Sequence, residues 1–177
     1  MKKISQTEIQ NLMALHQRGL DDDVISKASS LVKEHPEEII LFNLLGVSYE
    51  RKGSLKNAAE AYKNALNINP NIPEMNFNLG AILFSENKVE EAIQFYEKSI
   101  QLNNNFPEAY FNLGIALQSM GRFDEAIQCY QKAIQIQPGF FEAITNMGTI
   151  KQLQGHLDEA AEFFKKSLNI REDGRGH

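Results

Sequence analysis

The sequence predicts an all-α protein, a solenoid of antiparallel helix pairs, and two observations carry that prediction. Gly46, Gly80, Gly114 and Gly148 recur at one fixed interval, and Ala58, Ala92, Ala126 and Ala160 follow them at a second, equally constant one. Within one period, apolar residues fall at helical spacing in two runs. The first holds Ala109, Leu113, Ala116 and Leu117; the second, after Gly121, holds Ala126, Ile127, Tyr130, Ala133 and Ile134. Repetition of this kind implies stacked copies of one supersecondary unit rather than a single core around a central pocket. The functional expectation is a surface that holds something.

Residues 1–38 read as a divergent N-terminal helix pair. Ile9, Leu12, Met13 and Leu15 support a helix over 4–17, and Asp23 reads as the cap of a second helix carrying Val24, Ile25, Ala28, Leu31 and Val32. Leu12 stands where the glycine recurs and Val24 where the alanine recurs, so this pair should pack at its own spacing. Four repeats follow, at 39–72, 73–106, 107–140 and 141–170. In the third, Pro107 and Glu108 suit a first helical turn, where a proline loses no internal hydrogen bond and a carboxylate meets the positive helix end. Gly53, Gly121 and Gly155 fall between paired helices, where a left-handed residue is needed, and Asn87 takes that place in the second repeat. Gly46, Gly80, Gly114 and Gly148 fall inside helices, where glycine costs roughly 0.5–1 kcal/mol relative to alanine. Close contact explains them, with each glycine expected to face the recurrent alanine of its own repeat, as Gly80 would face Ala92 and Gly114 would face Ala126. Residues 171–177, REDGRGH, read as a flexible polar tail.

Composition narrows the function classes. With 42% apolar and 23% charged residues the chain is that of a soluble folded domain, and its net charge of -5 with no dense basic tract disfavours a nucleic-acid surface. One cysteine excludes an internal disulfide. Residues 1–10 lack the apolar core of a signal peptide, and no run approaches about 18 apolar residues, so no membrane insertion is expected and the cytoplasm is the expected compartment.

No catalytic chemistry is assembled, and the chain reads as a non-enzyme with no cofactor and no metal site. Glu90-Glu91, Asp124-Glu125 and Asp158-Glu159 resemble acid-base pairs, but each opens a predicted helix, where carboxylates stabilise the helix end. Asp21, Asp22 and Asp23 lack the spacing of a calcium loop. His16, His35 and His156 lie in separate repeats without metal-ligand spacing. Cys129 has no basic partner at helical spacing and reads as a packed thiol.

The first helix of each repeat has a second face. It carries Phe77, Asn78 and Phe84 in the second repeat, Phe111, Asn112 and Gln118 in the third, and Asn146 and Gln152 in the fourth. Core packing accounts for Leu79 but not for Asn78, about 100° around the same helix. A carboxamide offers a donor and an acceptor and so can hold one peptide unit without reading its side chain. Asn78, Asn112 and Asn146 are therefore expected to form rungs that bind an extended polypeptide, with Phe77, Phe84 and Phe111 adding apolar contact and Gln118 and Gln152 lining the same face. N78A/N112A is expected to weaken that binding with unfolding nearly unchanged.

The series Phe42, Leu45, Gly46, Tyr49, Ala58, Tyr62, Ala65, Pro70 resembles the tetratricopeptide repeat, as does Tyr110, Leu113, Gly114, Leu117, Ala126, Tyr130, Ala133, Pro138. The resemblance spans residues 39–170 and departs from the pattern at Lys151, where a large apolar residue is usual, and at Glu172, where the closing proline is missing. It implies a right-handed superhelical solenoid and a protein-protein interaction scaffold that takes a peptide in its concave groove. The NLG sequences at 78–80 and 112–114 are similar to repeats preceding the catalytic region of O-linked N-acetylglucosamine transferases, whose equivalent asparagines grip substrate backbone. That likeness implies a second reading, a substrate-recruiting accessory region of a larger glycosyltransferase or other transferase.

Leu157, Ala160, Ala161, Phe164 and Leu168 can form one packed face on the last helix. With only polar residues after it, that face is expected to pack inward with a tolerable edge, to be covered by another molecule, or to be met by further chain; the favoured expectation is a homo-oligomer through the C-terminal helix, weakened by F164E.

Overall fold

The computed structural model describes residues 4–173, and the regular structure of these residues is entirely helical. The helices are α1 (Gln6–Gln17), α2 (Asp21–Glu34), α3 (Ile39–Arg51), α4 (Leu55–Ile68), α5 (Pro73–Ser85), α6 (Val89–Leu102), α7 (Pro107–Ser119), α8 (Phe123–Ile136), α9 (Phe141–Leu153) and α10 (Leu157–Asp173). They belong to two compact units, Met1–Ile82 and Leu83–His177, with the boundary falling within α5.

The turn inside each helix pair is one motif used repeatedly. After α7, Gly121 has φ of 75°, its N–H reaches the Gln118 carbonyl at 3.0 Å, and the Arg122 N–H reaches the Leu117 carbonyl at 2.9 Å. These two bonds satisfy carbonyls that the helix end leaves open, and they require a left-handed residue at their centre. Asn87 supplies it after α5 with φ of 61°, as its place in the period predicts. Between pairs, Pro138 stands just past the end of α8, whereas no proline follows α10. That helix runs 17 residues against 14 for α8 and enters the segment expected to be a tail from residue 171. Residues 174–177 of that expected tail lie outside the described residues.

In the first unit, Leu12, Val24, Ala28, Leu41, Leu44, Leu45 and Ala61 form a buried cluster, so the larger Leu12 and Val24 fill the divergent first pair as core residues. Asp23 does not cap α2. The helix starts earlier, at Asp21, with Leu20 as its cap residue and all three aspartates in its first turn. Arg51 and Lys52, from the end of α3, then face Asp21 at 3.5 Å and Asp22 at 2.5 Å. α1 is capped by Ser5, whose hydroxyl accepts from the Glu8 N–H while the Glu8 carboxylate accepts from the Ser5 N–H.

Gly46, Gly114 and Gly148 do not face the alanines of the expected pairing; each makes room for an aromatic ring one helical turn beyond that alanine. A Cβ placed on Gly114 would lie 2.5 Å from Tyr130 Cε1, and one on Gly46 would overlap the Tyr62 ring. On Gly148 it would meet Phe164 at 2.8 Å. Phe164 is therefore a packing residue. The remainder of the α10 face expected to be packed divides: Ala160 is buried, while Leu157, Ala161 and Leu168 are exposed. Lys151, the other departure from the repeat pattern, meets Glu159 at 2.8 Å in place of apolar contact.

Candidate functional site

α5, α7 and α9 open their pairs and carry the predicted face. Asn78, Asn112 and Asn146 are each half-buried, and each reaches the tyrosine on the helix just before its own. Asn146 Nδ2 donates to the Tyr130 hydroxyl at 3.3 Å. Asn112 and Asn78 take the corresponding places beside Tyr96 and Tyr62, where they favour the ionised phenols. The three tyrosines are essentially fully buried.

The direction of these bonds is fixed at one of them by chemistry alone. The Tyr62 hydroxyl donates to Glu50 Oε2 at 2.5 Å, and a carboxylate can only accept. The one hydroxyl proton is thereby committed, so any bond from Asn78 to the phenol oxygen is donated by its N–H. Its Oδ1 and second N–H are left for other partners. Tyr130 repeats the arrangement, donating to Gln118 Oε1 at 2.7 Å. Burial, opposed by the asparagine bond, pushes the Tyr96 and Tyr130 phenols up to about 12, and burial followed by Glu50 pushes Tyr62 up as well. All three hydroxyls stay protonated at neutral pH, which the relay requires.

The other predicted residues divide between the face and the packing. Phe111 is half-buried with its ring centroid 4.7 Å from Phe140 and 5.8 Å from Tyr130, so it packs within its unit. Phe77 and Phe84 are half-buried. Gln118 is engaged by Tyr130, whereas Gln152 is exposed. Glu50 and the tyrosines belong to the same constellation and escaped the reading of single helix faces. Their signal was a constant offset from tyrosine to asparagine, the same from Tyr62 to Asn78, Tyr96 to Asn112 and Tyr130 to Asn146.

Two of the carboxylates that resemble catalytic groups are otherwise occupied. Arg122 grips Glu125 with two bonds of 2.7 Å, and Lys151 with His156 holds Glu159; each carboxyl is thereby kept below its ordinary range. Burial, with Glu125 and Glu97 nearby, raises the Cys129 thiol to about 11, so it carries little thiolate at neutral pH. Among the described residues no three His, Cys, Asp or Glu side chains are placed to hold a metal ion, and no helix is long and apolar enough to cross a membrane.

Paired helices, left-handed turns at a fixed period and glycine-on-aromatic contacts define a helix-pair repeat protein. The tetratricopeptide repeat family matches residues 107–140 and 142–174, and its TPR repeat form matches 46–85 and 80–121. The chain belongs to the tetratricopeptide repeat family. No curated protein matches it. A crystal structure of MamA is similar at 28% identity and a TM-score of 0.89, over 99% of this chain and 100% of that one. MamA residues 41 to the end from Desulfovibrio magneticus RS-1 match at 17% identity and 0.88, over 97% and 98%. YrrB, described as a TPR protein with an unusual peptide-binding site, matches at 20% identity and 0.83, over 96% and 88%. These likenesses support the tetratricopeptide repeat itself and give no support to its transferase-linked subtype.

Proposed function

We propose that this chain is a non-catalytic protein-interaction module that binds an extended polypeptide along the asparagine-bearing faces of α5, α7 and α9. The observation that carries the reading is the commitment of the Tyr130 proton to Gln118. It sets the Asn146 carboxamide with one N–H on the Tyr130 hydroxyl and leaves an acceptor and a donor for a peptide unit. An amide held this way loses little freedom on binding, which favours affinity. The peptide-binding site named for YrrB supports the same use of this fold. The net charge of -5 supports a protein partner rather than nucleic acid, and the cytoplasm is the compartment proposed for it.

The test is titration of a peptide library against N78A/N112A. Each lost bond is expected to cost about 0.5–1.5 kcal/mol, so binding should weaken roughly fivefold to a hundredfold. Because both asparagines lie beside buried tyrosines, the double variant should lose some stability, contrary to expectation from the sequence. Y62F/Y96F removes the same tyrosine bonds while keeping both carboxamides, so a binding loss much larger in N78A/N112A separates recognition from packing. Unchanged affinity in N78A/N112A for every library ligand refutes the assignment.

Self-association through the C-terminal helix is the second proposal, supported by Leu153 and Leu157, 64% and 66% exposed beside the turn between α9 and α10. F164E is an unsuitable probe, since Phe164 packs on Gly148. L157E alters exposed surface only and should lower the average mass measured by light scattering across a concentration series. A monomer at every concentration would remove this proposal.

A further inference from the structure

We infer that the last helix pair holds a side-chain pocket for an aromatic residue of the bound polypeptide, a reading that rests on the proposed peptide-binding face. Between α9 and α10 lies an open cleft of about 380 Å³ with a floor of Phe141, Phe164 and Leu168. Its origin is visible by comparison with the preceding pair. There the ring of Phe111 lies against Tyr130 and Phe140. In the last pair Thr145 takes the repeat position of Phe111, Phe164 that of Tyr130 and Ser167 that of Ala133. The Thr145 hydroxyl is drawn back onto its own backbone, 2.9 Å from the Phe141 carbonyl and 2.5 Å from Ser167 Oγ, which itself donates to that carbonyl at 3.1 Å. The position of an aromatic ring is thus vacated while one of the two rings it would stack on, Phe164 in the place of Tyr130, is kept; the place of Phe140 falls to Gly174, outside the described residues. Leu168, which lines the cleft, is 52% exposed.

The repeat itself therefore says what fits: a phenylalanine-class ring, seated on Phe164 as Phe111 sits on Tyr130. The polar surroundings suit a peptide that carries it. Asn146 lines the cleft, its N–H spent on Tyr130, and so presents its carboxamide oxygen to a backbone N–H. Glu142 and Arg171 also line it, and neither has an ion-pair partner among the described residues. An aromatic residue with a basic neighbour on one side and an acidic neighbour on the other meets both charges, and a volume near the lower end for ligand sites suits one such side chain with its flanking backbone.

The probes are the capped tripeptides Lys-Phe-Glu and Glu-Phe-Lys, with Lys-Ala-Glu and Glu-Ala-Lys as controls, followed by methyl NMR of the whole chain. At least one phenylalanine tripeptide should move the Leu168 methyl signals and bind tenfold or more tighter than its alanine control, as burial of a ring predicts. T145F/S167A installs the residues of the preceding pair, fills the cleft and should abolish that response. L168E, an exposed change, should weaken it without unfolding the pair. Unmoved Leu168 signals, or equal binding of the alanine tripeptides, overturn the pocket. So does a concentration-dependent dimer that T145F/S167A dissolves, which would make a second copy the occupant. Library ligands that still depend on Asn78 and Asn112 while the tripeptides fail would reject the pocket and keep the face; the converse result rejects the face and keeps the pocket.

Discussion

Replacing Gly114 by alanine is expected to destabilise the protein by about 2–4 kcal/mol, although alanine is the better helix former by about 1 kcal/mol. The new Cβ would lie 2.5 Å from Tyr130 Cε1, 2.8 Å from Cδ1 and 3.0 Å from Cζ. The ring cannot step aside cheaply. It is fully buried, its hydroxyl is held by Gln118 at 2.7 Å and Asn146 at 3.3 Å, and Phe111 lies against it. Overpacking costs about 1–3 kcal/mol, and displacing the hydroxyl forfeits a further 0.5–1.5 kcal/mol or so for each bond. Urea unfolding measures the sum. G114A/Y130L, which removes the ring that the methyl meets, should recover part of the loss, as expected for two residues in contact. Gly139→Ala is the control, since nothing lies within 4 Å of its Cβ and its change should be small. A G114A protein as stable as the parent would show that the ring has another place to go.

Much of the fold was legible because its local rules repeat in phase. Gly121 and Asn87 announced left-handed turns, Pro107 a helix start and Pro138 a helix end, and each acts within a short stretch of chain. The glycine contacts were misread for a geometrical reason. Ala126 and Tyr130 lie on the same face of α8, and linear spacing alone cannot say which of them α7 meets at Gly114. The extent of α10 was hidden too, because a missing proline removes a stop without specifying how far the helix continues.

The candidate site was half legible. Asn78, Asn112 and Asn146 stand out in sequence because polar residues on a packed helix need a partner. The partner was sought outside the molecule, yet Asn146 spends one N–H on Tyr130 within it, and Asn78 and Asn112 stand beside Tyr62 and Tyr96. The rings of Tyr62, Tyr96 and Tyr130 are buried, and the hydroxyls of Tyr62 and Tyr130 do a second task by donating to Glu50 and Gln118. Phe111 shows the opposite case, an aromatic residue on the predicted face whose ring is turned onto Tyr130 and Phe140. Where Thr145 stands in its repeat position, a cleft opens between α9 and α10.

The same buried hydroxyls should make the protein fail in alkali over a definable range. The Tyr96 and Tyr130 phenols are raised from 10.0 to about 12, mainly by burial, and Tyr62 is raised in the same direction. A raised folded pKa means that the unfolded chain loses its protons first. The stabilising contribution is therefore complete below pH 10 and drains away as pH climbs through the folded values. By pH 12 the loss is roughly 2 kcal/mol for each of Tyr96 and Tyr130, a total comparable with a large part of an ordinary domain's stability. Helical circular dichroism and tyrosinate absorbance, followed together from pH 9 to 12.5, should show the buried hydroxyls ionising in step with loss of helix. Y130F has one fewer group to ionise; although less stable at pH 8, it should lose less further stability between pH 10 and 12. Stability that stays level from pH 9 to 12, or tyrosinate absorbance that reaches its full value while the helices persist, would mean that these hydroxyls are open to water in solution.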